Sequence, residues 1–165
     1  MPGLIIWAGF TVTVAGFCFW KPQPTRVFVG FFMAAMGLAI HGLFVLKYPE
    51  SYIDFAAKAP IPAYRLGLAL TEPNPRAFGL FMLFFETALA LLILSRGRYV
   101  KLGLMGAILF LLGITPLGVE ELPNVVLAIG LASLLTNNFP HDVVSMIRSR
   151  FRSRPAAPRS EAEKM

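Results

Sequence analysis

Five apolar runs, Gly3 to Trp20, Val27 to Leu46, Ala77 to Ser95, Leu102 to Val119 and Leu122 to Phe139, contain no Lys or Arg. Each holds about 18 to 20 residues, enough for a helix to cross the ~30 Å hydrocarbon core of a bilayer. Hydrocarbon offers the backbone no hydrogen bonds, so such runs can cross only as helices or as closed barrels, and uninterrupted apolar runs are the helical pattern. The fold they predict is an all-α integral membrane bundle of five transmembrane helices. The composition agrees. With 56% hydrophobic and 15% charged residues, the chain is far from the roughly quarter-charged makeup of a soluble domain, which excludes a soluble enzyme.

Cys18, the only cysteine, lies inside the first run, so an intramolecular disulfide, a CxxC redox pair and a Cys-based zinc site are all excluded. The first run has no basic residue ahead of it and no small-residue cleavage site behind it, and is expected to be an uncleaved span. Lys21 and Arg26 follow it, Arg96, Arg98 and Lys101 follow the third run, and an Arg-rich tail follows the fifth. The positive-inside rule then predicts a multi-pass protein of the cell membrane, N-terminus outside and C-terminus cytoplasmic. The segment 47–76 is the exception, because it carries four basic residues yet falls outside; Glu50, Asp54 and Glu72 balance them in part.

Within that outer segment, Glu50 to Lys58 puts Ile53, Ala56 and Ala57 on one helical face and pairs Asp54 with Lys58 at i, i+4. A short helix at the membrane surface is expected, ended by Pro60 and Pro62. It is read as a lipid-facing collar or as a lid over a site, with Tyr48, Tyr52 and Tyr64 as interfacial aromatics. Small-xxx-small pairs, Gly30 with Ala34, Ala35 with Ala39 and Gly103 with Ala107, predict close helix contacts rather than a wide channel. The many Phe residues of spans two and three read as lipid-facing and core filler.

Two ionisable residues fall inside spans, His41 and Glu86. Each costs about 2.5 to 3.5 kcal/mol on insertion scales, which makes each a site candidate. Counting about 1.5 Å per residue puts both in the outer half of the membrane. Asn124, with Glu120 and Glu121 in the adjoining turn, falls at or above that level, which outlines a polar pocket opening outward. Such a His and Glu can hydrogen-bond across helices and fix packing, bind a quinone or a lipid headgroup, or pass a proton. The two do not make a metal site, and no P-loop, GxGxxG, HExxH or GxSxG motif is present.

The last twenty residues hold six Lys and Arg against two Glu, so most of the net charge of +6 belongs to the tail. Arg148, Arg150, Arg152 and Arg154 just inside the last span are expected to contact anionic lipid headgroups, at about 1 kcal/mol each near the surface. Aromatic interleaving is too sparse for nucleic-acid binding. The tail, 146–165, is expected to be disordered.

From Arg26 to Phe139 the sequence resembles the DoxX-like family of small four-span membrane proteins. The resemblance rests on Val27 to Leu46 with His41-Gly42 before Lys47, on Phe78-Gly-Leu-Phe-Met-Leu-Phe-Phe-Glu86 with the Arg96-Gly-Arg98 turn, and on two short final spans around Glu120-Glu-Leu-Pro-Asn124. It implies a four-helix bundle over 26–145, with His41 and Glu86 as its internal polar pair, and an association with membrane redox complexes. Residues 1–25 are then an added N-terminal span, available to a membrane protein partner. The resulting expectation is an accessory or assembly subunit, without catalysis of its own and with no required cofactor. The alternative is a lipid- or quinone-binding enzyme or carrier that uses the Glu/His pair. A channel or transporter would need polar residues across the inner half of the spans, where there are almost none. Beyond the lipid bilayer, the partners expected are a membrane protein or further copies of the chain.

Overall fold

The computed structural model describes residues 2–57 and 63–152, and every regular element among them is helical. Helix α1 (Pro2–Trp20) is followed after Lys21 by α2 (Pro22–Lys47), whose stretch Met36–His41 is π-helical. Two short helices, α3 (Ser51–Ala57) and α4 (Ala63–Thr71), precede α5 (Pro75–Leu94). Then come α6 (Arg98–Ile114), two 3₁₀ turns at Thr115–Leu117 and Val119–Glu121, α7 (Asn124–Leu134) and α8 (Val143–Arg152).

Gly3–Trp20, Pro22–Lys47 and Pro75–Leu94 are long and apolar enough to cross a membrane. The fourth and fifth runs form shorter helices than expected, of 17 and 11 residues. At 1.5 Å per residue, 11 residues reach only about 16 Å, roughly half the hydrocarbon core. Pro116 ends the helix of the fourth run at Ile114 and Pro123 holds back the fifth until Asn124, while most of the shortening of the fifth is at its other end, where α7 stops at Leu134 ahead of Phe139. The other boundaries follow from local chemistry. Proline at the first turn opens α2 and α5, and the Asn74 side chain caps α5 by accepting from the Ala77 amide at 2.9 Å. Gly97, at φ +59°, makes the reversal between α5 and α6 in a conformation that side chains disfavour.

Close approaches fix how the helices run. Gly30 faces Ile93 and Leu94, Gly37 faces Leu83, Glu86 and Thr87, and Gly79 faces Val45, so α2 and α5 are antiparallel. Gly103 meets Leu92 and Ile93 while Gly106 meets Leu89, which makes α6 antiparallel to α5. Trp7 bonds Asn124 while Ala15 meets Gly130, so α1 and α7 run parallel. One core joins them, built from Val14 and Cys18 of α1, Val29 and Met33 of α2, Ile93 of α5, Leu104 of α6 and Leu131 and Leu134 of α7. The outward faces are apolar too, with Ile5, Phe19, Phe81, Phe84, Leu109 and Ile129 exposed, as a helix surface in lipid requires.

Two of the three small-residue pairs behave as the spacing predicts. Gly30 and Gly103 sit against α5, and Ala107 is buried. Ala35 and Ala39 are instead exposed. The stripe of α2 that meets α5 runs through Gly30, Met33 and Gly37; Ala35 lies two residues, about 200°, from both Met33 and Gly37. Helix α8 likewise departs from expectation, since it runs through the start of the segment expected to be disordered; residues 153–165 lie outside the described residues.

Candidate functional site

The π-helical turn of α2 delivers His41 to the face of α5. A π-turn widens the helix by one residue per turn and recurs at functional sites, and here Gly37 lets it settle on α5. A Cβ at Gly37 would lie 3.1 Å from Thr87 Oγ1 and 3.2 Å from Glu86 Cβ. His41 Nε2 stands 3.4 Å from Glu86 Oε1, with the two side chains only 14% and 4% exposed. The equal depth counted along the two spans is therefore observed as contact.

A third member, Tyr52, joins the pair. Its hydroxyl lies 2.7 Å from His41 Nδ1, and the two rings are nearly parallel at 10°, centroids 5.7 Å apart. The sequence places Tyr52 among interfacial aromatics and puts Ile53, Ala56 and Ala57 together on one helical face. In the structure Tyr52 and Ala56 are buried, while Ala57 is exposed. Gly79 of α5 is the reason: a Cβ there would lie 2.5 Å from Tyr52 Cε2, so the glycine forms the seat for the ring. Phe44 and Phe78 meet it edge-on. Tyr48 is exposed, the Tyr64 side chain lies outside the described residues, and so does Lys58, the expected partner of Asp54.

One tautomer satisfies the triad, with the Tyr52 O–H donating to Nδ1 and the Nε2–H directed at Glu86. Burial, with Glu86 nearby, pushes the Tyr52 phenol up to about 12 from an ordinary 10.0. The folded protein thus holds this proton more tightly than the unfolded chain. The resulting stability is whole below pH 10 and is lost as pH rises through 12. Tyr52→Phe should remove that part of the alkaline loss, read as a flatter profile of melting temperature between these values. A wild-type slope in the variant would refute it.

Among the described residues, Glu86 Oε2 and Thr87 Oγ1 are buried without hydrogen-bond partners. At about 1 to 3 kcal/mol for each unmade bond, this leaves hydrogen-bonding capacity beside the triad.

The remaining candidates form a separate group. Fully buried Asn124 accepts from Trp7 Nε1 at 3.0 Å and donates through Nδ2 to Glu121 Oε2 at 2.7 Å. No hydrogen bond or ion pair among the described residues joins this group to His41 and Glu86, and Glu120 is exposed and bonded to neither. This second polar cluster ties α1 to the start of α7. Among the described residues, no three His, Cys, Asp or Glu side chains group as metal ligands. Arg148 is exposed on α8, Arg150 and Arg152 belong to the same helix, and Arg154 lies outside the described residues.

A third polar cluster went unread in the sequence, where Arg26 counted only toward orientation. Arg26 is fully buried. Its guanidinium donates to the Ser95 carbonyl at 2.8 Å and the His141 carbonyl at 3.2 Å, and lies 5.0 Å from the centre of the Phe139 ring. The Gly97 amide donates to the Phe139 carbonyl at 2.7 Å. The start of α2, the α5–α6 turn and the chain after α7 therefore converge at one end of the bundle. No family model, curated protein or solved structure matches the chain.

Proposed function

We propose that the chain is a five-crossing protein of the cell membrane, N-terminus outside and C-terminus cytoplasmic, that serves a membrane complex as an accessory or assembly subunit without catalysis of its own. The convergence around Arg26 supports the crossing number, because α1, α2, α5, α6 and the stretch from Asn124 to His141 each run between that end and the opposite one. Lys21, Arg96 and Arg98 lie at the same end, in keeping with a cytoplasmic face. The DoxX-like resemblance favours a redox complex.

The observation that carries the accessory reading is the closure of the triad. Both ring nitrogens of His41 face partners within the protein, and Tyr52 covers the pair. A cluster so engaged fixes the register of α2, α3 and α5. Mass spectrometry of the tagged protein drawn from native membranes in mild detergent is expected to find a stoichiometric protein partner. Glu86→Gln should lower protein level and melting temperature together, by about 1 kcal/mol of stability.

A second reading rests on Glu86 Oε2 and Thr87 Oγ1, whose unmet hydrogen bonds suit a quinone oxygen or a lipid headgroup hydroxyl. It requires that Glu86→Gln leave melting at the wild-type value while releasing one quinone or lipid species. A lone bundle behaving so would overturn the accessory reading.

A further inference from the structure

A cleft of about 550 Å³ separates α1 from α2 on the outer surface of the bundle, running from Gly9 and Phe10 to Lys21 on the opposite side of α2 from the stripe that meets α5. The two helices are joined by Lys21 alone and are tied near the turn, where Thr25 Oγ1 donates to the Phe17 and Lys21 carbonyls at 3.0 and 2.7 Å. Phe10 closes the far end by packing on Phe28 and Phe32 at 6.2 and 5.0 Å. Phe17 and Phe28, both partly exposed, form the walls.

The lining is chemically one-sided. Thr13 directs its hydroxyl back to the Gly9 carbonyl at 2.7 Å, which removes its hydrogen-bonding group from the cleft. Thr25 is engaged in the same way, and a Cβ at Gly9 would meet nothing within 4 Å. Along the helices the cleft therefore accepts only hydrocarbon. At the turn the chemistry changes, because exposed Lys21 holds its ammonium 4.5 Å from the centre of the Trp20 ring and makes no ion pair among the described residues. From Gly9 to Lys21 is roughly 18 Å of helix, close to half of a ~30 Å hydrocarbon core. Lys21 and Trp20 sit where two span-length helices end, the level of the headgroups.

We propose that this cleft holds one acyl chain of an anionic glycerophospholipid whose phosphate rests against Lys21. Length, apolar lining and a cation at one end match a single amphiphile with a negative head. A second helix would bring no charge for Lys21 and would not be confined to one half of the bilayer.

Native mass spectrometry of the delipidated protein in mixed micelles, with dioleoyl phosphatidylglycerol or dioleoyl phosphatidylcholine, tests the assignment. One phosphatidylglycerol should be retained in preference to phosphatidylcholine. Lys21→Gln should cut that preference about fivefold, the scale of one basic residue at the surface. Gly9→Leu, which fills open space and leaves the helix contacts intact, should abolish retention of both lipids without lowering the melting temperature. Arg148→Ala and Glu86→Gln should leave retention unchanged.

Equal retention of the two lipids, or retention that survives Gly9→Leu, would overturn the proposal. Loss through Arg148→Ala would move the lipid to α8, and loss through Glu86→Gln would move it to the triad; either overturns it as well. A dimer that Gly9→Leu dissociates would give the cleft to a second copy of the chain, and the lipid assignment would fall with it.

Discussion

Arg26→Ala is expected to destabilise the protein by about 3 kcal/mol, seen as a fall in melting temperature on the order of 10 °C in mild detergent. The guanidinium is fully buried and donates to two carbonyls, Ser95 and His141, that belong to different turns. Hydrogen bonds to a charged group are worth about 1.5 to 3 kcal/mol each, and the contact with Phe139 adds about 0.5 to 1. Alanine removes these and leaves the two carbonyls facing a void. The cost of burying the charge disappears with it, which is why the sum is not realised in full.

Lysine is the discriminating control. Its single ammonium reaches one of the two carbonyls without the planar fork that spans both, so Arg26→Lys should recover less than half of the loss. If Arg26 served only to orient the chain, lysine would restore the protein fully and alanine would alter insertion rather than melting. Proteolysis reads the difference locally: in Arg26→Ala the Ser95 to Arg98 turn and the start of α8 should be cut together, because one side chain and the Gly97–Phe139 bond hold both.

Arg26 also marks where the sequence stopped being legible. A basic residue after a span reads as a topology signal, and its burial depends on two turns that approach it from about 70 and 115 residues away. His41 and Glu86 were legible as a pair at similar depth, because hydrophobic spans give depth by residue count, and the 3.4 Å contact also needs the Gly37 face of α2 to turn toward α5. Depth does not fix rotation about the helix axis. Asn124 bonds Trp7 on α1 and Glu121 bonds Asn124, and among the described residues no hydrogen bond joins either to the triad.

Tyr52 was missed for a related reason. Amphipathic periodicity over seven residues cannot choose between faces one residue apart, and the choice was made by Gly79 on another helix. The apolar runs continue past the ends of α6 and α7 and so do not fix the helix lengths, although Pro116 and Pro123 mark the turn between the two helices. Gly130, which meets Ala15 of α1, belongs to no small-xxx-small pair, because the residues four positions either side of it are Val126 and Leu134.

Gly130→Leu is expected to release α1 from the bundle while the contacts of α2, α5 and α6 persist. A Cβ at Gly130 would lie 2.6 Å from Ala15 Cα and 2.8 Å from its Cβ. The first obstacle is backbone, so no rotamer change relieves it and the two parallel helices must separate. Overpacking of this kind costs typically about 1 to 3 kcal/mol for added methylenes, and more where main chain meets main chain. Separation also breaks the bond from Trp7 to Asn124 and returns buried Asn124 to Glu121 alone.

Cys18 supplies the readout, since it is the only cysteine, lies on α1 and is buried in the core. Its labelling by a small maleimide should rise by roughly 100-fold or more if about 3 kcal/mol is lost from this interface, at tenfold for each 1.4 kcal/mol. Gly130→Ala should fall between wild type and Gly130→Leu, because a methyl forces a smaller shift than an isobutyl group. The Arg26→Ala variant, which loosens the Ser95 and His141 turns and leaves the α1–α7 contact in place, should melt early yet expose Cys18 less than Gly130→Leu does at low temperature. Unchanged Cys18 labelling in Gly130→Leu would mean that α1 is held by something other than its contact with α7.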